Sequence, residues 1–470
     1  MDLTNNLRFK TTPRLLQLAA AACLLAAPPS GSAATWLVRD QVGAPDWLRF
    51  SGEYRLRYET LDGQFRAGGA GGDQALASRL SLKAEADYRA ATFGGELMDS
   101  RQFLNDTGSP LSTGHVNAME PMQAYLKLNL GAALNDDRKA SLTLGRQTFD
   151  LGSRRLFARN RYRNTINAFN GVRAQWEFGG GQELQAMWFL PQHRRPTARG
   201  SLLDHHIHLD REALDYQFWG LFLESPGLPL DSIGEFYVFG LHERDAATRA
   251  SRNRRIITPG FRIHRKPTPG AWDWQWENAV QLGESRSSSA AANTTDLTHR
   301  AHFHHLTFGY TFDRDWQPRL ALHYDYASGD RDPADGRNNR FDPLFGGNRF
   351  DYGPTGIHGA FARRNLNSPG LRISARPHAR VELMAAHRLH WLAAAADSWN
   401  NSGLVDPTGA AGSYVGQQTE VRVRWDAIPK NLRIEAGAAR LHAGRFIKNA
   451  PAATGQRDVN YGYLQATLKF

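Results

Sequence analysis

The sequence predicts an all-β chain, a transmembrane antiparallel β-barrel with short turns on one rim and long loops on the other. Three observations predict it. Apolar and polar side chains alternate through segments of roughly ten residues, the length a tilted membrane strand needs. The chain finishes on Gly462 to Phe470, where Leu464, Ala466, Leu468 and Phe470 share one face and Tyr463, Gln465, Thr467 and Lys469 the other. That pattern looks like the closing strand of an outer-membrane barrel, whose apolar face is expected to meet lipid. Beyond the N-terminal leader no stretch approaches the ~20 apolar residues of a membrane helix.

The leader comes first. Arg8, Lys10 and Arg14 form a positive region, Leu15 to Ala27 is an apolar run too short to span a bilayer, and Ser32-Ala33-Ala34 is a small-residue cleavage site. Residues 1–34 therefore read as a secretory signal peptide and residues 35–470 as the barrel. Cys23, the single cysteine, lies in the leader. Acylation there would need a leucine where Ala20 stands, so no lipid anchor is expected. The mature chain then has neither disulfides nor thiolate chemistry.

The formal charge is +11; the leader removes three basic residues and one acid and leaves +9. Excess positive charge favours an anionic partner. Export and the lack of a nucleic-acid-binding motif exclude nucleic acid. A polar average with 41 % hydrophobic residues suits a barrel whose strands are apolar on one face only. The 12 Trp, 14 Tyr and 24 Phe suffice for aromatic girdles at both membrane interfaces.

The strands follow in order. From Leu48 to Glu59, Leu48, Phe50, Tyr54, Leu56 and Tyr58 oppose Arg49, Glu53, Arg55, Arg57 and Glu59. From Arg79 to Arg89, Leu80, Leu82, Ala84 and Tyr88 oppose Arg79, Lys83, Glu85, Asp87 and Arg89. Weaker copies span 122–130, 172–178, 420–425 and 432–438. Successive charges along one face are what a water-filled lumen holds. Short connectors fall at 179–181 and 426–431. Long polar ones fall at 63–74, 105–120, 193–212, 283–298, 328–369 and 393–417, and these are expected outside the cell. At about 24 residues per strand and connector, the mature chain makes ~16–18 strands.

The lumen-parity basic residues are Arg49, Arg55, Arg57, Arg79, Lys83, Arg89, Lys127, Arg173, Arg422, Arg424, Arg433 and Lys469. Interleaved acids such as Glu53, Glu85 and Glu435 would hold them in place. An arginine fork meets a carboxylate with two hydrogen bonds and keeps its charge. The set reads as a path for anions, and the competing reading is a wall of charges paired across neighbouring strands.

Other clusters carry less. His205-His206-Ile207-His208, and His302 with His304 and His305, lack a defined ligand spacing. Asp330, Asp332 and Asp335 superficially resemble a calcium loop, but Phe341 stands where the bidentate glutamate belongs. No metal or cofactor is expected. No constellation for acyl or glycosyl transfer has a recognisable spacing, so the chain is not read as an enzyme.

Three stretches carry a resemblance. One runs Leu144-Gly145-Arg146-Gln147-Thr148-Phe149-Asp150-Leu151-Gly152-Ser153-Arg154-Arg155-Leu156 and on through Phe169-Asn170-Gly171-Val172-Arg173. Another runs Asp325-Tyr326-Ala327-Ser328-Gly329-Asp330 and on through Arg340-Phe341-Asp342-Pro343-Leu344-Phe345-Gly346. The third is Leu48 to Glu59. Over nearly the whole mature chain they resemble the alginate export family. The resemblance implies an 18-stranded barrel in the Gram-negative outer membrane, surrounded by lipid, and the chain is expected to be a monomer. It would pass an acidic polysaccharide or related organic anion, with periplasmic secretion components as partners. It also makes Arg146 the best single constriction candidate, with looser matches at Arg49 and Arg433. Arg146 shares parity with Leu142 and Leu144, so it enters the lumen only if the strand ends at Gly145 or a bulge turns it inward. The alternative function is a general or small-anion-selective porin with no polymer role.

Overall fold

The computed structural model describes residues 43–69, 71–133, 139–246, 249–453 and 458–470. The signal peptide expected over residues 1–34 lies outside them. Eighteen strands follow one another round a closed cylinder. They are β1 (Leu48–Asp62), β2 (Asp73–Tyr88), β3 (Ala91–Phe103), β4 (Asn117–Asn129), β5 (Ala140–Gln147), β6 (Phe169–Glu177), β7 (Glu183–Pro191), β8 (Tyr216–Leu228) and β9 (Ser232–Glu243). The circuit continues with β10 (Arg255–Arg265), β11 (Ala271–Ser285), β12 (Leu297–Thr311), β13 (Arg319–Ala327), β14 (Leu366–His378), β15 (Val381–Trp391), β16 (Tyr414–Ile428), β17 (Leu432–Ala443) and β18 (Val459–Lys469).

Each strand pairs antiparallel with its sequence neighbours, and β1 pairs with β18 from Glu53 opposite Lys469 to Asp62 opposite Asn460. Closure leaves no unpaired sheet edge, which is the condition for crossing lipid without a helix. Among the described residues no helix is long and apolar enough to cross a membrane.

The alternation expected from the sequence is the alternation observed. Phe50, Leu56, Leu82, Phe93, Trp188, Trp219, Leu306, Leu322, Ile373 and Leu464 are exposed on the outer wall, while Arg55, Arg57, Arg79, Glu420 and Glu435 are buried within. Gly52 shows how tightly the seam between first and last strands is built. Its N–H donates to the Phe470 carbonyl at 2.7 Å, and the Phe470 N–H donates back at 3.1 Å. A Cβ at Gly52 would stand 2.1 Å from the Phe470 ring, so only glycine admits the ring there.

The short connectors, such as 89–90, 178–182, 229–231, 379–380 and 429–431, all follow even-numbered strands. The long ones, 63–72, 104–116, 148–168, 192–215, 328–365 and 392–413 among them, all follow odd-numbered strands and so share the opposite rim. The long-loop expectations therefore fall within a few residues of the observed ends. The segment 148–168, part of a motif stretch, is a further long connector.

The interior is not an empty tube. Connectors 148–168 and 328–365 enter the barrel and join there, with Phe157 bridging to Phe345. Their aromatic side packs on the inner face of β6–β9. Phe157 stacks on Phe169 at 4.4 Å, lies 5.3 Å from Phe218 and 5.9 Å from Phe345. Phe189, Phe222, Tyr237 and Phe239 complete this buried cluster. Fully burying each such ring contributes roughly 1.5–3 kcal/mol, so the two connectors are a seated plug.

Candidate functional site

Seating the plug against β6–β9 leaves space on the other side. A cavity of about 790 Å³ lies between the two inward connectors and the walls of β1, β2 and β13–β18. It reaches the short-turn rim at Pro267 and Gln317. Twelve basic residues and four acidic ones line it.

The plug tip is held by arginines that grip neutral oxygens. Arg55 on β1 donates to the carbonyls of Arg161 at 2.7 Å, Tyr162 at 3.1 Å and Arg163 at 3.1 Å, and to Asn164 Oδ1 at 3.0 Å. Arg79 on β2 donates to the carbonyls of Arg161 and Arg163 at 2.9 and 3.1 Å, and to Glu53 at 2.7 Å. Arg372 on β14 donates to the Phe350 carbonyl at 2.6 Å. A hydrogen bond from a charged donor contributes ~1.5–3 kcal/mol. A carbonyl carries no net charge, so these bonds fix a guanidinium without cancelling it. Arg57 and Arg79 differ from Arg55 and Arg372 in being paired with carboxylates: Arg79 with Glu53, and Arg57, which donates to the Tyr162 carbonyl at 2.8 Å, with Glu59 at 2.5 Å.

The acids of the cavity are each engaged. Glu382 takes Arg422 at 2.9 Å and Arg424 at 3.3 Å, and Glu435 takes Arg424 at 2.5 Å and the Tyr463 hydroxyl at 2.6 Å. Glu53 is held by Arg79, and Asp150 lies 3.7 Å from Arg161. Arg349, from the plug, binds Glu420 at 2.5 Å and the Tyr463 hydroxyl at 3.0 Å. Three of the bases pair with acids outside the lining, Arg319 with Asp273, Arg349 with Glu420 and Arg433 with Asp426, and the surplus in the lining is still positive. A low-dielectric wall with one sign of surplus charge concentrates counter-ions of the other sign.

Of the basic residues singled out from sequence, Arg55, Arg79, Arg422, Arg424, Arg433 and Lys469 line this cavity. Arg433 sits at its short-turn end, paired with Asp426 at 2.7 and 2.9 Å. Arg57 lies behind the plug tip. Arg49 is part-exposed beside Asp87 and 3.7 Å from Glu85, Lys83 pairs with Glu85 at 2.9 Å, Lys127 is exposed on β4, and Arg173 stacks over Phe149 at 4.1 Å. None of these four is in the lining.

Arg146 is placed elsewhere. The register of β5 with β4 and β6 runs through Gly145 without a shift, and the strand continues to Gln147. Neither the bulge nor the early strand end occurs. Arg146 meets Glu120 at 2.5 Å and Asp210 at 3.7 Å, tying connector 192–215 to the wall. Burial, then the neighbouring Glu120 charge, pushes the Asp210 carboxyl up to about 6.

Sequence reasoning passed over Arg154, Arg161 and Arg349, which the plug brings to the cavity, and Arg319, Arg372 and Arg376 on β13 and β14. The strand arginines had a signal: Arg319, Ala321 and His323 alternate with Leu320, Leu322 and Tyr324. The plug arginines had none: an exterior loop was expected around Arg349, and no connector was expected at 148–168, which carries Arg154 and Arg161.

The plug is latched by buried charge. Arg155 donates to Glu277 at 2.8 Å and to Asp351 at 2.9 and 3.0 Å, and lies 2.9 Å from His305 Nε2. Arg363 donates to the Gly347 carbonyl at 2.6 Å and to Asp351. Burial alone would raise the Asp351 carboxyl, but Arg155 and Arg363 hold it well below the usual carboxylate range. His305, Asp325 and Asp351 are close enough to one another to hold a cation. Arg155, Arg363 and Arg388 already occupy those carboxylates, Arg388 reaching Asp325 at 2.6 Å. A metal there would add charge to a site already compensated.

The model of the alginate export family matches residues 46–460. No curated protein matches the sequence. The fold is similar to solved outer-membrane proteins of low identity. OpdK of Pseudomonas aeruginosa matches with a TM-score of 0.56 and 12 % identity, over 90 % of this chain and 99 % of its own. OccAB1 of Acinetobacter baumannii gives 0.57 and 13 %, over 90 % and 97 %. OccK2 of Pseudomonas aeruginosa, solved in complex with glucuronate, gives 0.55 and 12 %, over 90 % and 96 %.

Proposed function

The chain belongs to the alginate export family and forms an outer-membrane barrel, and from that premise we propose that it passes an acidic polysaccharide, or a related organic anion, through its arginine-lined lumen. The observation that carries the reading is the lining of the cavity, twelve basic residues against four acids, each acid already engaged. Arg55 and Arg372 are fixed by neutral oxygens and keep their charge for a passing ligand. Many weak, successive contacts allow entry without stalling release. The uronate in one structural neighbour is the monomeric form of such a ligand. Arg55, Arg79, Arg433 and the plug's Arg349 are the residues assigned to the path. The barrel closes within one chain, so one copy suffices, and periplasmic secretion components would deliver a polymer to the short-turn rim.

A second reading has its own support. The plug reduces the space beside it to about 790 Å³, a volume in the small-molecule range. A porin for small anions fits that size as the protein stands, whereas a polymer needs the plug or the long loops to yield. Planar-bilayer recording separates the two. Reversal potentials in a salt gradient test anion preference, and oligouronate against glucuronate tests length. Long blockades by the oligomer support the polymer path. A response to the monomer alone supports the small-anion porin. A cation-selective or non-selective current overturns both.

A further inference from the structure

The histidines at 302 and 304 lie on the outer wall of β12, away from the lumen. Asn278 Nδ2 donates to His304 Nδ1 at 2.7 Å, and His304 Nε2 lies 3.0 Å from His302 Nδ1. An acceptor Nδ1 on His304 leaves its proton on Nε2, which donates to His302. His302 then carries its proton on Nε2, a donor with no protein acceptor among the described residues. Tyr326 stacks on the His302 ring at 5.3 Å and fixes it. Arg300 is exposed two residues along the same face.

The height of this cluster is informative. Tyr310, on the same strand and face, belongs with Trp272 and Phe312 to an aromatic group at the short-turn rim. Climbing from Tyr310 to His302 along a strand tilted about 40° rises roughly 20 Å. The apolar band of an outer-membrane barrel is about 25 Å tall. His302 and Arg300 therefore stand near the upper interface, beside the headgroups of the outer leaflet.

Below them is a groove. Its lining begins at Asn278 and follows one hydrogen-bonded row across the wall, Asn278 to Phe261, Phe236, Leu223 and Leu184. The row descends, because Leu184 is one residue from the short-turn end of β7 while His304, opposite Asn278, is well up β12. From His304 to Leu184 it crosses five strand spacings, about 24 Å. The ladder between β10 and β11 skips Thr258 and Pro259 where the groove passes. Its volume is about 470 Å³ and its lining almost wholly apolar.

A donor cluster at headgroup height, joined through Asn278 to an apolar channel running down into the bilayer, matches one class of molecule. We propose that this face binds a phosphorylated lipid of the outer leaflet, its phosphate on His302 and Arg300 and one acyl chain along the Phe261–Phe236–Leu223 row. This assignment is independent of what the lumen conducts.

Native mass spectrometry of the detergent-purified full chain with added diphosphorylated lipid A tests it. His302→Ala with His304→Ala removes the donors, and Leu221→Trp fills the channel from a lipid-facing position. Each is expected to lower the lipid A adduct about tenfold, the loss of one charge-assisted hydrogen bond or one chain's contacts. Heat-modifiable electrophoretic mobility reports that each variant is a folded barrel. Phosphatidylethanolamine is expected to bind no better than to the variants. Equal adducts in wild type and both variants overturn the proposal. Displacement of lipid A by millimolar inorganic phosphate overturns the acyl-chain half, since a lipid held by its tail resists a free headgroup.

Discussion

The inner wall has two halves that do opposite work. From β6 to β9 it presents Phe169, Phe189, Phe218, Phe222 and Phe239, and the plug sits against it dry. From β13 through β18 to β1 and β2 it presents arginines, and the plug stands off to leave a charged cavity. The aromatic half gives position through burial, which is non-directional and strong. The cationic half gives chemistry, and its contacts to the plug are directional: Arg55 and Arg79 donate to plug carbonyls, and Glu420 pairs with Arg349. Where a conduit needs a fixed constriction and a mobile ion, separating the two tasks onto opposite walls lets each be optimised alone.

The largest test of that division removes the latch between them. Arg155→Ala strands Glu277 and Asp351 as buried, under-compensated charges, an expected loss of ~3–5 kcal/mol. The plug should release, seen as a jump in single-channel conductance and a lower temperature for heat-modified mobility. Next, Arg55→Leu with Arg79→Leu cuts the carbonyl grip on the tip. With each charged hydrogen bond contributing ~1.5–3 kcal/mol, the tip should loosen and open-channel noise rise. Phe157 packing should keep the plug seated in that variant, so intact conductance steps with added noise would confirm that the aromatic half positions it.

The third test is pH. The Asp210 carboxyl is raised to about 6 in the folded protein, by burial and then by Glu120. The folded state thus binds the proton more tightly than the unfolded chain. The stabilisation is fully present below about pH 4 and is lost as pH rises through about 6, at most ~3 kcal/mol. Limited proteolysis within 192–215 should be slower at pH 4 than at pH 7, and Asp210→Asn should flatten the dependence. A smaller effect comes from Arg376→Glu, which reverses a charge at the cavity's short-turn end. Anion preference should fall by the equivalent of about 1–2 kcal/mol at close approach in water, with stability unchanged. The smallest is Arg146→Glu on selectivity. Its contacts with Glu120 and Asp210 place it on the attachment of 192–215, so the reversal potential should hold while proteolysis of that segment quickens. A shifted reversal potential would return Arg146 to the conduit.

What the sequence disclosed follows the same two halves. The strands β1, β2 and β16–β18 were legible because their inner faces are charged and their outer faces apolar, so period two is plain. Strands β7 to β9 were not. In Met187-Trp188-Phe189-Leu190 and Phe236-Tyr237-Val238-Phe239 both faces are apolar, one for lipid and one for the plug, and the alternation vanishes. The long connectors were legible as polar stretches, but the direction in which they fold was not. The motif stretches around 144–164 and 325–346 are the ones that enter the barrel, and Arg349 reaches the cavity only through that entry. Arg146 stands outside the cavity lining, because the register of its strand runs on unshifted and keeps it on the parity of Leu142 and Leu144.

The seam between β1 and β18 carries one more consequence. The two strands that complete the cylinder are those farthest apart along the polypeptide, with Asp62 opposite Asn460. Every other strand pair is local, so ribbon assembly can proceed neighbour by neighbour. The final zippering must then bring distant segments together at a large entropic cost. Pairing of β1 with β18 is therefore expected to be the last and slowest step of assembly, leaving those two strand edges the longest exposed.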